Sequence, residues 1–315
     1  MLRRFLHHRV AVVALVVLGL IFVFAFVGQR VWPYKAAALY GEVGQTRGGT
    51  AHGGPTLSEP KRCHGDYSEI IAQRFRSGPC APHLFGSDGN GHDMVAETMR
   101  GSQISLSIAV LVAVLATSIG TTLGAIAGFY RGWVDGALMR GTDFFLTIPL
   151  IAVAGTLSVH VRGGSWWILA VILGALGWMP IARVIRAEFI SLREKEFVEA
   201  ERCLGASDRR VMARTVLPNC LSPLVVQFSL GVGYAMLVEA GLSFLGLGVQ
   251  PPTPAWGQMV GLARNFITIA PWLITFPGIA IFLAVLAFNF LGDGLREATD
   301  PRLRGRRLAA RKGGT

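Results

Sequence analysis

Six stretches of this chain run for about the width of a bilayer with almost no charge. Val10–Gly28, Ser102–Tyr130, Gly163–Ala182, Thr215–Val238 and Asn265–Gly292 hold no Asp, Glu, Lys, Arg or His, and Phe144–Val161 holds only His160. A hydrocarbon core of about 30 Å takes roughly 20 apolar residues as a helix, and backbone groups in lipid must be paired within the segment. The runs do not alternate polar and apolar residues, as the strands of a membrane barrel would. The expected fold is an all-α integral membrane protein with six transmembrane helices. Composition agrees. The chain is 52% hydrophobic and 16% charged, against about 25% charged in an ordinary soluble domain.

The first run has a signal-peptide reading, because Arg3, Arg4 and Arg9 precede it and Ala36, Ala37 and Ala38 resemble a cleavage site. At 19 residues it is longer than the usual h-region of about 7–15, and the alanines lie well past its end. It is expected to remain as a membrane helix. Orientation follows from Lys and Arg. With the N-terminus inside, the short inner segments hold 20 of these residues, in 1–9, 131–140, 183–214 and 296–312. The short outer segments hold only Arg162 and Arg264. The long outer loop hardly counts, since long loops translocate largely regardless of charge. Both termini are therefore expected in the cytoplasm of a cell-membrane protein. The net charge of +11 is a topology signal and a membrane-lipid surface feature, and gives no reason to invoke nucleic acid.

The expected organisation is an N-terminal segment with the first helix (1–31), an extracytoplasmic loop (32–100), a core with five helices (101–292) and a basic cytoplasmic tail (293–315). Gly120, Gly124 and Gly128 recur four apart in the second run, which lets a helix approach closely either within this bundle or against a second subunit. Cys203 and Cys220 fall on the expected inner side, where thiols stay reduced. Cys63 and Cys80 fall in the outer loop, beside His64 and His83. A disulfide between them is the preferred reading, ahead of free thiols and of a metal site, whose ligand spacing would be tidier.

The inner segment 191–217 is the most informative. Ser191 and Glu194 have capping-box spacing and predict a helix start. Phe197, Val198, Ala200, Cys203 and Leu204 recur at helical spacing on a partly apolar face. Gly205 suits the left-handed position that ends a helix, Ser207 and Asp208 suit the start of a second, and Pro218 is expected to stop it. Two short helices joined at Gly205 thus lie between membrane spans. A DNA-binding helix-turn-helix is a poor reading so close to the membrane. A plain solvated loop leaves Phe197, Val198, Leu204, Val211 and Met212 in need of a covering surface.

Glu199-Ala200-Glu201, Gly205 and Leu217-Pro218 resemble the EAA loop of ABC importer permeases, whose general pattern is Glu-Ala-Ala, three residues, Gly, and an Ile-x-Leu-Pro ending. Glu201 stands where that pattern has its second alanine, and Thr215 where it has isoleucine. Residues 183–219, including Gly205-Ala206-Ser207-Asp208 and Val216-Leu217-Pro218-Asn219, are similar to the oligopeptide/dipeptide branch of the family. So are the segment from Gly241-Leu-Ser-Phe-Leu-Gly to Pro254-Ala-Trp-Gly257, Phe276-Pro277-Gly278, the run from Asn289 to Arg296, and Asp300-Pro301-Arg302-Leu303. Phe85-Gly86-Ser87-Asp88 and Asp93 are similar to its Gly-Thr-Asp segment. The chain resembles a C-type permease over residues 1–30 and 84–305. Residues 32–83 are outside the pattern.

The resemblance implies a type I ABC importer permease fold, with coupling helices at 191–217 that dock in a groove of an ATPase subunit through Phe197, Glu199, Ala200, Gly205, Ala206, Leu217 and Pro218. The sequence has no Gly-x-x-x-x-Gly-Lys phosphate loop, so ATP and Mg are expected on separate ATPase subunits and no cofactor on this chain. A B-type permease, two ATPase domains and an extracytoplasmic peptide-binding protein would complete the importer. An ion-coupled secondary transporter is the alternative. Its support is Glu239, a candidate for gating or the translocation path, with Asp143 and His160; all three sit at span ends, where water reaches. Inverted repeats are not visible. No paired carboxylates, metal-ligand spacing or nucleophile motif suggests a membrane enzyme.

Overall fold

The computed structural model describes residues 9–33, 36, 84–86, 92–160 and 165–299. Among these residues every regular element is helical. Cys63 and Cys80, most of the outer loop and the tail beyond 299 lie outside them.

Helix α1, Arg9–Val31, and helix α2, Met94–Tyr130, are continuous and apolar enough to cross a membrane. Asp93 starts α2: its backbone is extended, and its carboxylate accepts the Ala96 N–H at 2.8 Å and the Trp32 indole N–H at 3.0 Å. This is N-capping of otherwise orphaned donors. The helix therefore begins eight residues ahead of the uncharged run, and its 37 residues reach roughly 55 Å.

The third and fourth uncharged runs do not form single straight helices. Helices α3, Gly132–Leu146, and α4, Leu150–His160, meet at 74°. Pro149 sits at that break, lacking an N–H and disfavouring helix in the residue before it. Helices α5, Trp166–Leu176, and α6, Met179–Arg193, meet at 43° across Gly177. The last two long helices are α8, Leu221–Phe244, and α10, Trp272–Thr299. Among the described residues four helices are long and apolar enough to cross a membrane, and counting each bent pair as one span gives up to six. The sixth helix lies seven residues further along than its uncharged run, because the 264–271 stretch is spent on a short 3₁₀ turn and a connection. Between them lie the short α7, Glu196–Cys203, and α9, Trp256–Ala263.

Helix α2 is the spine, lying along α5, α6 and α8, while α10 lies on α8 and α1. The glycine stripe serves the contact with α6. A Cβ at Gly120 would lie 2.8 Å from the Ile181 Cβ, one at Gly124 would lie 2.5 Å from the Ala182 carbonyl oxygen, and one at Gly128 would lie 2.6 Å from that of Arg186. The stripe is thus consumed inside this chain.

Among the described residues two main apolar cores result, beside a small cluster of Ala11 and Ala298 where α1 meets α10. The larger gathers Ile104, Ile108, Leu173, Met236, Leu242 and Trp256. The smaller gathers Phe129, Ile181, Ile185, Phe189, Val198, Val211, Val216 and Cys220, and so includes the segment between α6 and α8.

Candidate functional site

The segment 194–220 forms a helical knob on one end of the bundle. Its first helix begins at Glu196, with Lys195 in the N-cap position, and not at Ser191. The apolar face of Ile181, Ile185 and Phe189 carries α6 through Ser191 to Arg193. Glu194 does not reach back to cap; it pairs at 2.6 Å with Arg131, beyond the end of α2. Gly205 ends α7 at φ +83°, with open space where a side chain would start. The Ala206 N–H then reaches the Glu201 carbonyl at 3.2 Å, closing the helix as a left-handed cap does.

Ser207 precedes Asp208 in extended backbone, as a cap residue should, but its hydroxyl makes no capping bond. The second knob helix, 208–219, is wound wide over Val211–Val216. Pro218 does not stop it. The residue falls in the first turn of a fresh α-helical stretch, Leu217–Asn219, where its missing N–H costs nothing. The chain passes through Cys220 and continues as α8.

The knob has two faces. Inward, Val198, Val211, Val216 and Cys220 are fully buried against Phe129, Ile185 and Phe189, with Ala206, Met212 and Leu217 half-buried beside them. Val198, Val211 and Met212 are therefore covered by this chain itself. Outward, Phe197 is 44% and Leu204 87% exposed, and Ala200 and Cys203 lie exposed between them. Positions 197, 200 and 204 share one stripe at helical spacing. Glu199 and Pro218 are exposed as well.

Polar contacts fix the knob to the bundle. The Arg193 guanidinium donates to the Phe129 carbonyl, and the Arg193 and Arg202 guanidinium carbons lie 5.7 and 5.2 Å from the centroid of the Phe129 ring. Arg202 also reaches Asp208 at 3.6 Å, across the Gly205 turn. The Thr215 hydroxyl donates to Glu201, bonding the second helix to the first. On the neighbouring α3, Asp135 pairs with Arg186 at 2.6 Å and Asp143 pairs with Arg183. The Asp135 carboxylate accepts from two guanidinium N–H groups of Arg186, one on each oxygen.

Glu239 lies apart from the knob, in α8. Sequence position alone suggests a water-accessible span end; the structure buries the side chain completely. Its carboxylate accepts the Ser243 hydroxyl at 2.7 Å and the Ser105 hydroxyl at 3.3 Å. Among the described residues no group of three or more His, Cys, Asp or Glu side chains is placed to hold a metal ion.

Apolar helices long enough to cross a bilayer, with a knob clamped to one end and a stripe of uncovered apolar side chains on it, define a membrane-embedded helical protein with a surface open to a partner. The chain belongs to the family of binding-protein-dependent transport system inner membrane components, whose model matches residues 120–305. A model of the N-terminal transmembrane domain of oligopeptide transport permease C matches residues 1–42. The glutathione transport system permease protein GsiD of Escherichia coli is 42% identical over 232 residues, which are 73% of this chain and 76% of that one. A Brucella ovis protein, provisionally named a peptide permease, is 41% identical over 237 residues, 75% of this chain and 78% of that one. The inward-facing structure of the MetNI methionine ABC transporter shares the fold, with a TM-score of 0.50 at 18% identity over 66% of this chain and 98% of that one. This chain is a permease subunit of an ABC importer.

Sequence reasoning overlooked the Glu201–Thr215 bond and the Phe129 clamp. A signal for the first was present: the two departures from the EAA pattern are a carboxylate and a hydroxyl, able to satisfy each other.

Proposed function

We propose that this chain forms half of the translocation pathway of an importer for peptides, di- or oligopeptides, a reading supported by relatives named as peptide and glutathione permeases. The observation that carries the coupling role is the two-faced knob. A helix whose inner face is built into the bundle core, and whose outer face leaves Phe197 and Leu204 uncovered, passes a push from a docked partner to the membrane helices. Phe197, Glu199 and Ala200 supply the docking surface. Gly205 and Ala206 set the angle of the turn between the two knob helices, and Leu217 and Pro218 join the second knob helix to α8.

The docked partner is an ATPase subunit that binds ATP and Mg and performs the hydrolysis; this chain is not itself an enzyme. A second permease of the B type and an extracytoplasmic peptide-binding protein complete the assembly. Both termini and the knob lie in the cytoplasm, and residues 32–83 lie outside, as the asymmetry of Lys and Arg supports.

Two experiments test this. Reporter fusions should read inside at Asp208 and Gly314 and outside at Gly54; an outside reading at Asp208 ends the topology. Reconstitution with the partner permease, ATPases and binding protein should give ATP-dependent uptake of a labelled tripeptide, glutathione being the first to try. Uptake driven by an ion gradient without ATP would replace the importer with a secondary transporter.

A further inference from the structure

The extracytoplasmic end of the bundle, in the topology above, is organised around the connection from α8 to α9. Residues 246–257 touch α8, α4 and α2 near their ends. A Cβ at Gly248 would lie 2.1 Å from the Ser243 hydroxyl of α8, and one at Gly257 would lie 2.4 Å from Ala240. A Cβ at Gly155 of α4 would lie 2.7 Å from the Leu247 side chain, and the neighbouring Ser158 hydroxyl bonds the Leu247 carbonyl. The Trp256 indole N–H donates to the Thr98 carbonyl of α2 at 3.0 Å.

Beneath this connection lies Glu239. Its two partners each carry a second bond, and both second bonds go to the connection. Ser105 of α2 accepts the Trp256 N–H at 3.1 Å while donating to Glu239. Ser243 accepts the Val249 N–H at 3.1 Å while donating to the other carboxylate oxygen. A serine hydroxyl has one proton. The carboxylate therefore fixes the direction of both hydroxyls, leaving their lone pairs for the two backbone donors. All of these groups are buried, where an unmatched donor costs most.

Helix α8 links this place to the knob. It follows the second knob helix through Cys220, and the rise from Leu221 to Glu239 is roughly 27 Å. A single helix thus runs from the knob to the outer connection, where Glu239 and Ser243 lie.

We propose that Glu239 is a positioning residue that fastens the 246–257 connection to α8 and α2, so that movement of the coupling knob is delivered to the outer end of this subunit. The proposal rests on the importer reading above. It gives Glu239 no contact with the transported molecule: the carboxylate acts through Ser105 and Ser243.

The test uses the full complex in nanodiscs, with hydrogen exchange followed in peptides covering 196–203 and 246–257, before and after trapping with ATP and vanadate. In the wild type, trapping should change exchange in both regions. Glu239→Leu keeps the volume and removes both acceptors. It should raise exchange in 246–257 by about tenfold and abolish its response to trapping, while 196–203 still responds. Glu239→Gln keeps one carbonyl acceptor and should restore most of the response. Ser105→Ala, which removes one bridge and leaves the other, should fall between them and guards against a misfolded Leu variant. A 246–257 region that responds to trapping as strongly in Glu239→Leu and Ser105→Ala as in the wild type overturns the proposal, as does a wild-type region that does not respond. Absence of any response at 196–203 in the wild type would count instead against the knob as the docking site.

Discussion

Thr215 donates its hydroxyl to the Glu201 carboxylate, and these are the two positions at which the knob departs from the general EAA pattern. An alanine and an isoleucine there would meet as apolar groups; this chain substitutes a hydrogen-bonded pair at the same junction. The pair predicts a matched exchange. Glu201→Ala or Thr215→Ile alone leaves a half-buried partner unbonded, while the double variant returns to the general pattern. A double-mutant cycle on thermal unfolding of the assembled complex should give a coupling of about 1 kcal/mol, with the double variant near wild type in ATPase activity. Strictly additive effects would show that the bond contributes nothing.

Gly205→Val places a β-branched side chain at φ +83°, at a cost of about 1–2 kcal/mol. Space is not the obstacle, since nothing lies within 4 Å of the new Cβ. The backbone is expected to relax by re-aiming the second knob helix. Membrane insertion should be normal, while ATPase association or substrate-stimulated hydrolysis is lost. Gly205→Asn, which tolerates the left-handed region better, should retain most of both. Wild-type assembly and uptake in the Val variant would remove Gly205 from the coupling role.

Gly124→Ala tests the seam between α2 and α6. The added carbon meets the Ala182 carbonyl at 2.5 Å, and backbone cannot rotate aside as a side chain can. Destabilisation of about 1–3 kcal/mol is expected for such overpacking, read as a lower unfolding midpoint of the purified complex in detergent. Gly136→Ala, in open space on α3, should be neutral. Equal midpoints for the two variants would contradict the close approach.

The Asp135–Arg186 pair joins α3 to α6 through two hydrogen bonds, one to each carboxylate oxygen. Asp135→Asn removes the charge and leaves Arg186 with a weaker acceptor. The pair is partly exposed, so the loss should be modest, at about 1 kcal/mol, read as a lower unfolding midpoint of the purified complex. An unchanged midpoint would show that the pair contributes nothing to the seam.

The knob shows how much of the site the sequence carried. Gly205 was legible because a left-handed turn between two helical patterns has a strong residue preference. The apolar residues around it were legible as a group, but not in their division of labour. Val198 and Phe197 are neighbours in sequence and read alike. Only the approach of Phe129 and Phe189 shows that Val198 completes this chain's core while Phe197 stays uncovered. Ser191 and Glu194 had the spacing of a cap, yet the apolar face of α6 continued past them and Arg131 took the glutamate.

By itself the sequence determined that the chain crosses a membrane as helices, because apolar runs in lipid have no other way to pair their backbone. It also determined the place of the knob and its hinge, because those depend on local conformational preference. The tertiary structure decided what depends on neighbours distant in sequence. It bent the third and fourth spans, matched the glycine stripe to α6 rather than to a second subunit, and paired Glu201 with Thr215. It also placed Glu239 out of reach of solvent, between hydroxyls 134 residues away and four residues away. A carboxylate near the end of an apolar run looks the same in sequence whether water or two serines wait beside it; only packing distinguishes them.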